Sequence, residues 1–227
     1  MDNAVVRAMD PSMKPEALAQ WYLRLNGFFT ITNFVVHPTH KGSQLTDGDI
    51  VGVRFPHRTE FQDGPGGDEE EFQHINNRLY FVVAEVKRGL CVMNQSWKMS
   101  GQEPIVALLQ DLGPFAKCHV LDAASNLLSN GCYNTETLRA SLLFIGSKFD
   151  PTLPTNALKK SWLELLEFIF ARFSKHHQVK TDHDQWDNLG KELFKHFNET
   201  HASQQAFCRA VMKACNLPDD SWPILEP

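Results

Sequence analysis

Three charged residues stand where strands are expected, and their types suit metal-assisted hydrolysis. The segment LYFVVAEVK, Leu79 to Lys87, is rich in the aromatic and β-branched residues of a buried strand, and it ends on Glu85 and Lys87. Strand side chains alternate between faces, so these two share a face with Leu79, Phe81 and Val83. A second expected strand, DIVGVRF from Asp49 to Phe55, opens on an aspartate that alternation groups with Val51 and Val53. If the two strands are antiparallel neighbours, the start of one lies beside the end of the other, and Asp49 faces Glu85 and Lys87. Two carboxylates that close repel each other and attract a cation. Mg²⁺, or Mn²⁺ in its place, accepts oxygen ligands and keeps several waters. A water so bound is a better nucleophile, and the metal neutralises a phosphate oxygen. A lysine beside it can orient or deprotonate that water, or stabilise charge developing on phosphorus. The plain alternative is a salt-bridged pair at a strand end, since charges usually mark solvated faces. Asp47 shares the Asp49 face by alternation, but it precedes a glycine and reads as a turn residue.

The elements that must position these residues follow from periodicity. PEALAQWYLRLN, residues 15 to 26, reads as an opening helix with Leu18, Trp21, Tyr22 and Leu25 on one face and Gly27 as its stop. FFTITNFVV then reads as a strand, broken by the Pro- and Gly-containing loop HPTHKGSQLTDG before the Asp49 strand. The acidic, Gly-rich stretch from His57 to Asn77 is expected to be a flexible connection to the Glu85 strand. A short extended piece at Leu90 to Met93, helices over 103–112 and 117–129, and a strand from Leu138 to Gly146 follow. The tail reads as three helices, the first from Asn156 to His177 with Trp162, Leu165, Leu166, Ile169, Phe170 and Phe173 as its apolar set. The expected organisation is an α/β core with a mixed sheet over residues 1–150 and a C-terminal helical extension over 151–227, packed on or beside it.

The order α-β-β-β-α-β, with Asp49 followed some way on by Glu85-Val86-Lys87, resembles the PD-(D/E)xK nuclease superfamily, whose fold is called restriction endonuclease-like. Several details are similar to its resolvase-like and Mrr-like branches. Asn26-Gly27-Phe28 resembles the "GF" that ends their first helix. DIVGV resembles the DIVAV strand that opens on their metal aspartate. Glu16 stands where they place an early helix glutamate, and Gly42-Ser43 resembles a loop before that aspartate. The chain departs from the family in having Gly48 where a proline often precedes the aspartate. The resemblance covers roughly residues 14 to 146. It implies a metal-dependent nuclease acting on DNA, with Asp49 and Glu85 as metal ligands, Glu16 completing the shell and Lys87 serving the attacking water. It also allows a catalytically silent subunit of a DNA repair or defence assembly, or an enzyme for another phosphate ester.

Other residues carry weaker readings. Lys41, Ser43, Arg88 and Lys98 are candidates for substrate contact, though scattered surface cations are common. Glu16 has an ordinary explanation at a helix N-terminus, where a carboxylate meets the macrodipole. Asn94, Gln95 and Trp97 either shape a pocket or form a turn over a buried Trp. His176, His177, His183 and His201 lack metal-ligand spacing. The Trp162 stripe reads as core, with a homodimer interface as the second reading. The formal charge of −5 gives no global attraction to nucleic acid, so a phosphate-binding surface must be a local patch. Five cysteines without paired spacing suit reduced thiols and argue against structural zinc. No apolar stretch approaches ~20 residues, and the first residues lack the apolar run of a secretory signal, so a cytoplasmic protein is expected.

Overall fold

The computed structural model describes residues 13–38, 44–58, 67–73, 77–98, 103–177, 187–200 and 203–218. Helix α1 (Pro15–Leu25) leads into strands β1 (Phe29–Val36) and β2 (Thr46–Arg54). A short helix α2 (Glu70–Gln73) precedes β3 (Leu79–Val86) and β4 (Leu90–Cys91). Helices α3 (Glu103–Leu112) and α4 (Val120–Asn130) come next, then β5 (Cys132–Asn134), β6 (Leu138–Gly146), β7 (Lys148–Phe149) and β8 (Leu158–Ser161). Helices α5 (Trp162–Lys175), α6 (Asn188–Glu199) and α7 (Gln204–Ala214) close the described chain.

The result is a mixed six-stranded sheet between two helical layers. Its order is β1-β2-β3-β6-β5, with β8 also pairing with β6, and β1 lies at the edge. β1, β2 and β3 run antiparallel in turn, whereas β3 pairs parallel with β6, as the helical crossover between them requires. One face carries Ile50, Tyr80, Val82, Ala84 and Val86 into a core with α1, α5, α6 and α7. The other carries Val51, Phe81, Val83, Leu142 and Phe144 into a core with α3 and α4. Burial on both faces explains why β3 and β6 read as continuous apolar runs.

Two expectations change. The helix expected from Asn156 begins at Trp162, because Leu158–Ser161 forms β8 along β6. Ser161 marks the boundary with a capping box: its hydroxyl accepts from Glu164 N while Glu164 accepts the Ser161 N–H at 2.7 Å. Segment 151–227 thus supplies a strand of the main sheet as well as helices. The connection expected to be flexible is fastened over residues 67–73, where Asp68 pairs with Arg54, and Lys160 of β8 reaches Glu69 and Glu71.

The Trp162 stripe is core. Trp162, Leu165, Leu166, Ile169 and Phe173 are buried within this chain, and Phe170 packs at a tilt against Phe197 and Phe207. All five cysteines are unpaired. Among the described residues no helix is long and apolar enough to cross a membrane.

Candidate active site

The antiparallel register pairs Ile50 with Ala84 and Val51 with Val83, so Asp49 arrives beside Glu85. It does not arrive by simple alternation. Ile50 faces the α1 core and Val51 the α3 core. A side chain on Gly48 would also meet Val51, Val83 and Leu108 on the α3 side, and Thr46 accepts from Trp97 Nε1 in that same layer. The strand therefore changes face between Gly48 and Ile50, at Asp49. β1 changes face opposite it. Thr30 accepts from Gln20 of α1, whereas Phe34 and Val36 join the α3 core. Between them Asn33 adopts φ of 52°, and the ladder skips the Asn33–Asp49 pair while joining Thr32 to Ile50 and Phe34 to Gly48. Asparagine tolerates this left-handed backbone better than a β-branched residue would. Freed from the pleat, Asp49 turns along the sheet, and its Oδ2 accepts the Val86 N–H at 2.7 Å.

Lys87 bridges the carboxylates. Its Nζ lies 2.7 Å from Glu85 Oε1 and 3.5 Å from Asp49 Oδ2. Side-chain exposure rises from 3% at Glu85 to 20% at Asp49 and 40% at Lys87, so the lysine stands at the mouth. Glu85 Oε2 is buried with no hydrogen-bond partner among the described residues. Burial raises the Glu85 carboxyl to about 7, against the opposing pull of Lys87, and nearby Asp49 and Asp47 add to the rise. Burial also raises Asp49, against the Val86 N–H and Lys87. For Lys87 burial acts downward, but hydrogen bonding and charge from Glu85 and Asp49 win, and its ammonium titrates above the usual range. Burial pushes the thiol of neighbouring Cys91 up to about 12, which disfavours its thiolate.

Compared with known proteins, the chain matches no family model, no curated protein and no solved structure.

The bond network behind the site holds the exit of β3. Trp162 Nε1 donates to the carbonyls of Lys87 and Arg88 at 3.2 and 3.0 Å. Gly146 lets the chain turn closely there: a Cβ on it would lie 2.8 Å from Gly89 O and 2.9 Å from Cys91 Cβ. Asn94 braces the start of β2, donating to Asp47 Oδ1 at 3.1 Å and accepting from Ser96. Asp47 is thus a strand residue paired with Val35 and not a turn residue.

The remaining candidates divide. Glu16 lies in the first turn of α1, on the helix that covers the opposite face, and among the described residues no group of three or more metal-type side chains forms. Lys41 and Ser43 lie outside the described residues, as do His183 and His201. Arg88 is exposed, and its charge partly offsets the burial that raises the Cys215 thiol just past the end of α7. Trp97 is buried against Thr46, as a turn capped by a Trp would be, while Gln95 and Lys98 are exposed. His176 is the C-cap of α5, and His177, which follows it, packs on Phe194 and Phe197.

The residues present fit a hard divalent cation. Asp49 Oδ1 accepts no hydrogen bond among the described residues, and Glu85 Oε2 is orphaned, so each carboxylate keeps one oxygen for a ligand. Mg²⁺ needs only one or two carboxylates when waters and phosphate complete its shell. Sequence reasoning missed Asn33, Gly146 and Trp162. An asparagine inside TITNFVV was a visible signal, since Asn is depleted in strands. Nothing local marked the other two.

Proposed function

We propose that this protein hydrolyses phosphodiester bonds in DNA with Mg²⁺ or Mn²⁺, as a nuclease of the restriction endonuclease-like kind. The observation that carries the reading is the juxtaposition of Asp49 and Glu85 on adjacent antiparallel strands, with Lys87 between them and a buried Glu85 oxygen that has no hydrogen-bond partner among the described residues. The succession α1-β1-β2-β3-helices-β6 supports it, being the element order of the family that the sequence resembles.

Asp49 and Glu85 would hold the metal, which when bound polarises a water and neutralises a phosphate oxygen. Asp49 keeps Oδ2 on the Val86 N–H, so its carboxylate stays aimed while Oδ1 is offered. Glu85 must give up its proton to become a ligand. Lys87, released from Glu85, is exposed enough to orient the attacking water and to meet charge growing on the phosphoryl oxygens.

Incubation with plasmid and single-stranded DNA in Mg²⁺ or Mn²⁺ tests this. The wild type is expected to cut, and Lys87→Ala to cut at least ~100-fold more slowly. No metal-dependent cleavage together with no heat of metal binding by calorimetry overturns it. A second reading, a silent binding or scaffold subunit with the same fold, is favoured by the net charge of −5 and by Lys87 already pairing with both carboxylates. It predicts DNA or partner binding without cleavage.

A further inference from the structure

Asn33 stands inside β1 with a left-handed backbone. The other described non-glycine residues with positive φ, Asn77 and Asn216, lie between elements, where turns use such a backbone. Within a strand it is costly for an L-residue, because Cβ crowds the following carbonyl, and strain of this kind concentrates at functional sites. Every other residue of β1 is aromatic or β-branched. The Asn33 side chain is exposed and makes no hydrogen bond among the described residues, so no contact explains its identity. What asparagine offers at this position is its backbone.

Across the ladder from Asn33 stands Asp49. Thr32 pairs with Ile50 and Phe34 with Gly48, and the pair between them is missing. On the other side the β2–β3 ladder ends at Ile50 and Ala84. Asp49 is thus outside both ladders. Alternation alone would put Thr30 and Phe34 on one face. Thr30 nevertheless meets Gln20 of α1, and Phe34 packs into the α3 core. β1 therefore reverses between them, and Asn33 is the residue of that interval with a left-handed backbone. Paired strands keep their pleats in step, so a reversal in β1 requires one in β2. It falls between Gly48 and Ile50, at the aspartate.

We infer that Asn33 is a positioning residue of the candidate site: its left-handed backbone, and not its side chain, takes Asp49 out of the pleat and aims the carboxylate at the Val86 N–H and Lys87. The consequence for metal rests on the nuclease reading, whereas the aim of Asp49 does not. Glycine reaches the left-handed region freely and keeps the arrangement. Valine is an outlier there, so it holds β1 extended and β2 in step with it. Asp49 then returns to a sheet face and leaves the Val86 N–H. A residue that touches no ligand thereby controls whether the two carboxylates share a cation.

The test is a cycle of variants read in two ways. Without metal, NMR follows the Val86 amide proton, which the Asp49 carboxylate accepts. Asp49→Asn should shift that resonance in the wild-type and Asn33→Gly backgrounds, and leave it unmoved in Asn33→Val. With metal, calorimetry should find Mn²⁺ affinity within about twofold of wild type for Asn33→Gly and at least about tenfold weaker for Asn33→Val, as when a group that orients a ligand is lost. Asn33→Val/Asp49→Asn should bind no more weakly than Asp49→Asn alone, whereas an unrelated structural defect would add to it. Should Asn33→Val not fold, Asn33→Ala takes its place with smaller changes in both readings. Thr32→Val, one residue away and paired with Ile50, should change neither. A Val86 amide that still responds to Asp49→Asn in folded Asn33→Val, or an Asn33→Gly protein as impaired as Asn33→Val, overturns the inference. Failure of the two proposals is distinguishable. No Mn²⁺ binding by the wild type, with the Val86 reading as expected, overturns the metal site alone; Mn²⁺ binding with a Val86 amide indifferent to residue 33 overturns the positioning alone.

Discussion

Strand β2 carries buried charge at both ends, one cluster closed to solvent and the other open to it. At its C-terminal end Arg54 meets Asp68, a carboxylate that also serves Arg58 and approaches Arg172. Arg54, Asp68 and Arg172 are sealed from solvent. Their effect is architectural: they fasten residues 67–73 and α5 to the edge of the sheet. At the N-terminal end Asp49 and Glu85 share one lysine, with Asp47 close enough to raise both acids, so anions are in excess. That cluster opens outward through a half-exposed Lys87. A closed cluster holds chain segments together; an open one with surplus carboxylate has capacity left for a cation from solution.

The largest expected effect lies at the closed end. Asp68→Ala removes the buried carboxylate that Arg54, Arg58 and Arg172 share, and should cost about 3–5 kcal/mol in urea unfolding, with Mn²⁺ affinity of the folded protein unchanged. A loss below about 1 kcal/mol, the worth of an exposed pair, would erase the contrast between the ends.

A smaller effect at the open end depends on pH. The Glu85 carboxyl is raised from 4.5 to about 7, so between those values the folded state holds a proton that the unfolded chain releases. Metal-free stability should therefore fall as pH rises through that window, by no more than about 3 kcal/mol, and level off above it. Glu85→Gln should flatten this profile and be the more stable protein above it, as thermal unfolding in EDTA across the window will read. Metal affinity should show the reverse trend, weakening below about 7 as the proton competes for Glu85. A wild-type stability that rises with pH would show that Lys87 outweighs burial at Glu85.

The smallest effect concerns the support of the open end. Trp162→Phe keeps the aromatic bulk but removes the donor to the Lys87 and Arg88 carbonyls. It should cost about 1 kcal/mol and slow cleavage only a few-fold. A loss as large as that of Lys87→Ala would make Trp162 part of the site and not merely its support.

Local pattern made most of the elements legible. The β3 and β6 strands fall where aromatic and β-branched runs place them, and α1 and α3 match their periodic stretches. β8 escaped because four residues, LKKS, have no period of their own and border a strong helical pattern; pairing with β6 alone makes them a strand. Asp68 escaped because its partners Arg54 and Arg172 are far from it in the chain.

Sequence alone determined that Glu85 and Lys87 stand at the end of a buried strand and that Asp49 lies on another, although that strand begins at Thr46 and not at Asp49 as expected. Both follow from composition and the two-residue period of a strand, which are local. Only the tertiary structure decided where the Asp49 carboxylate points. Alternation assigned it to a sheet face, but β1 and β2 change face together at Asn33 and Asp49, and the Val86 N–H of the neighbouring strand then captures the carboxylate. A side chain's direction at a break in the ladder is set by the partner strand, and no local period contains that information.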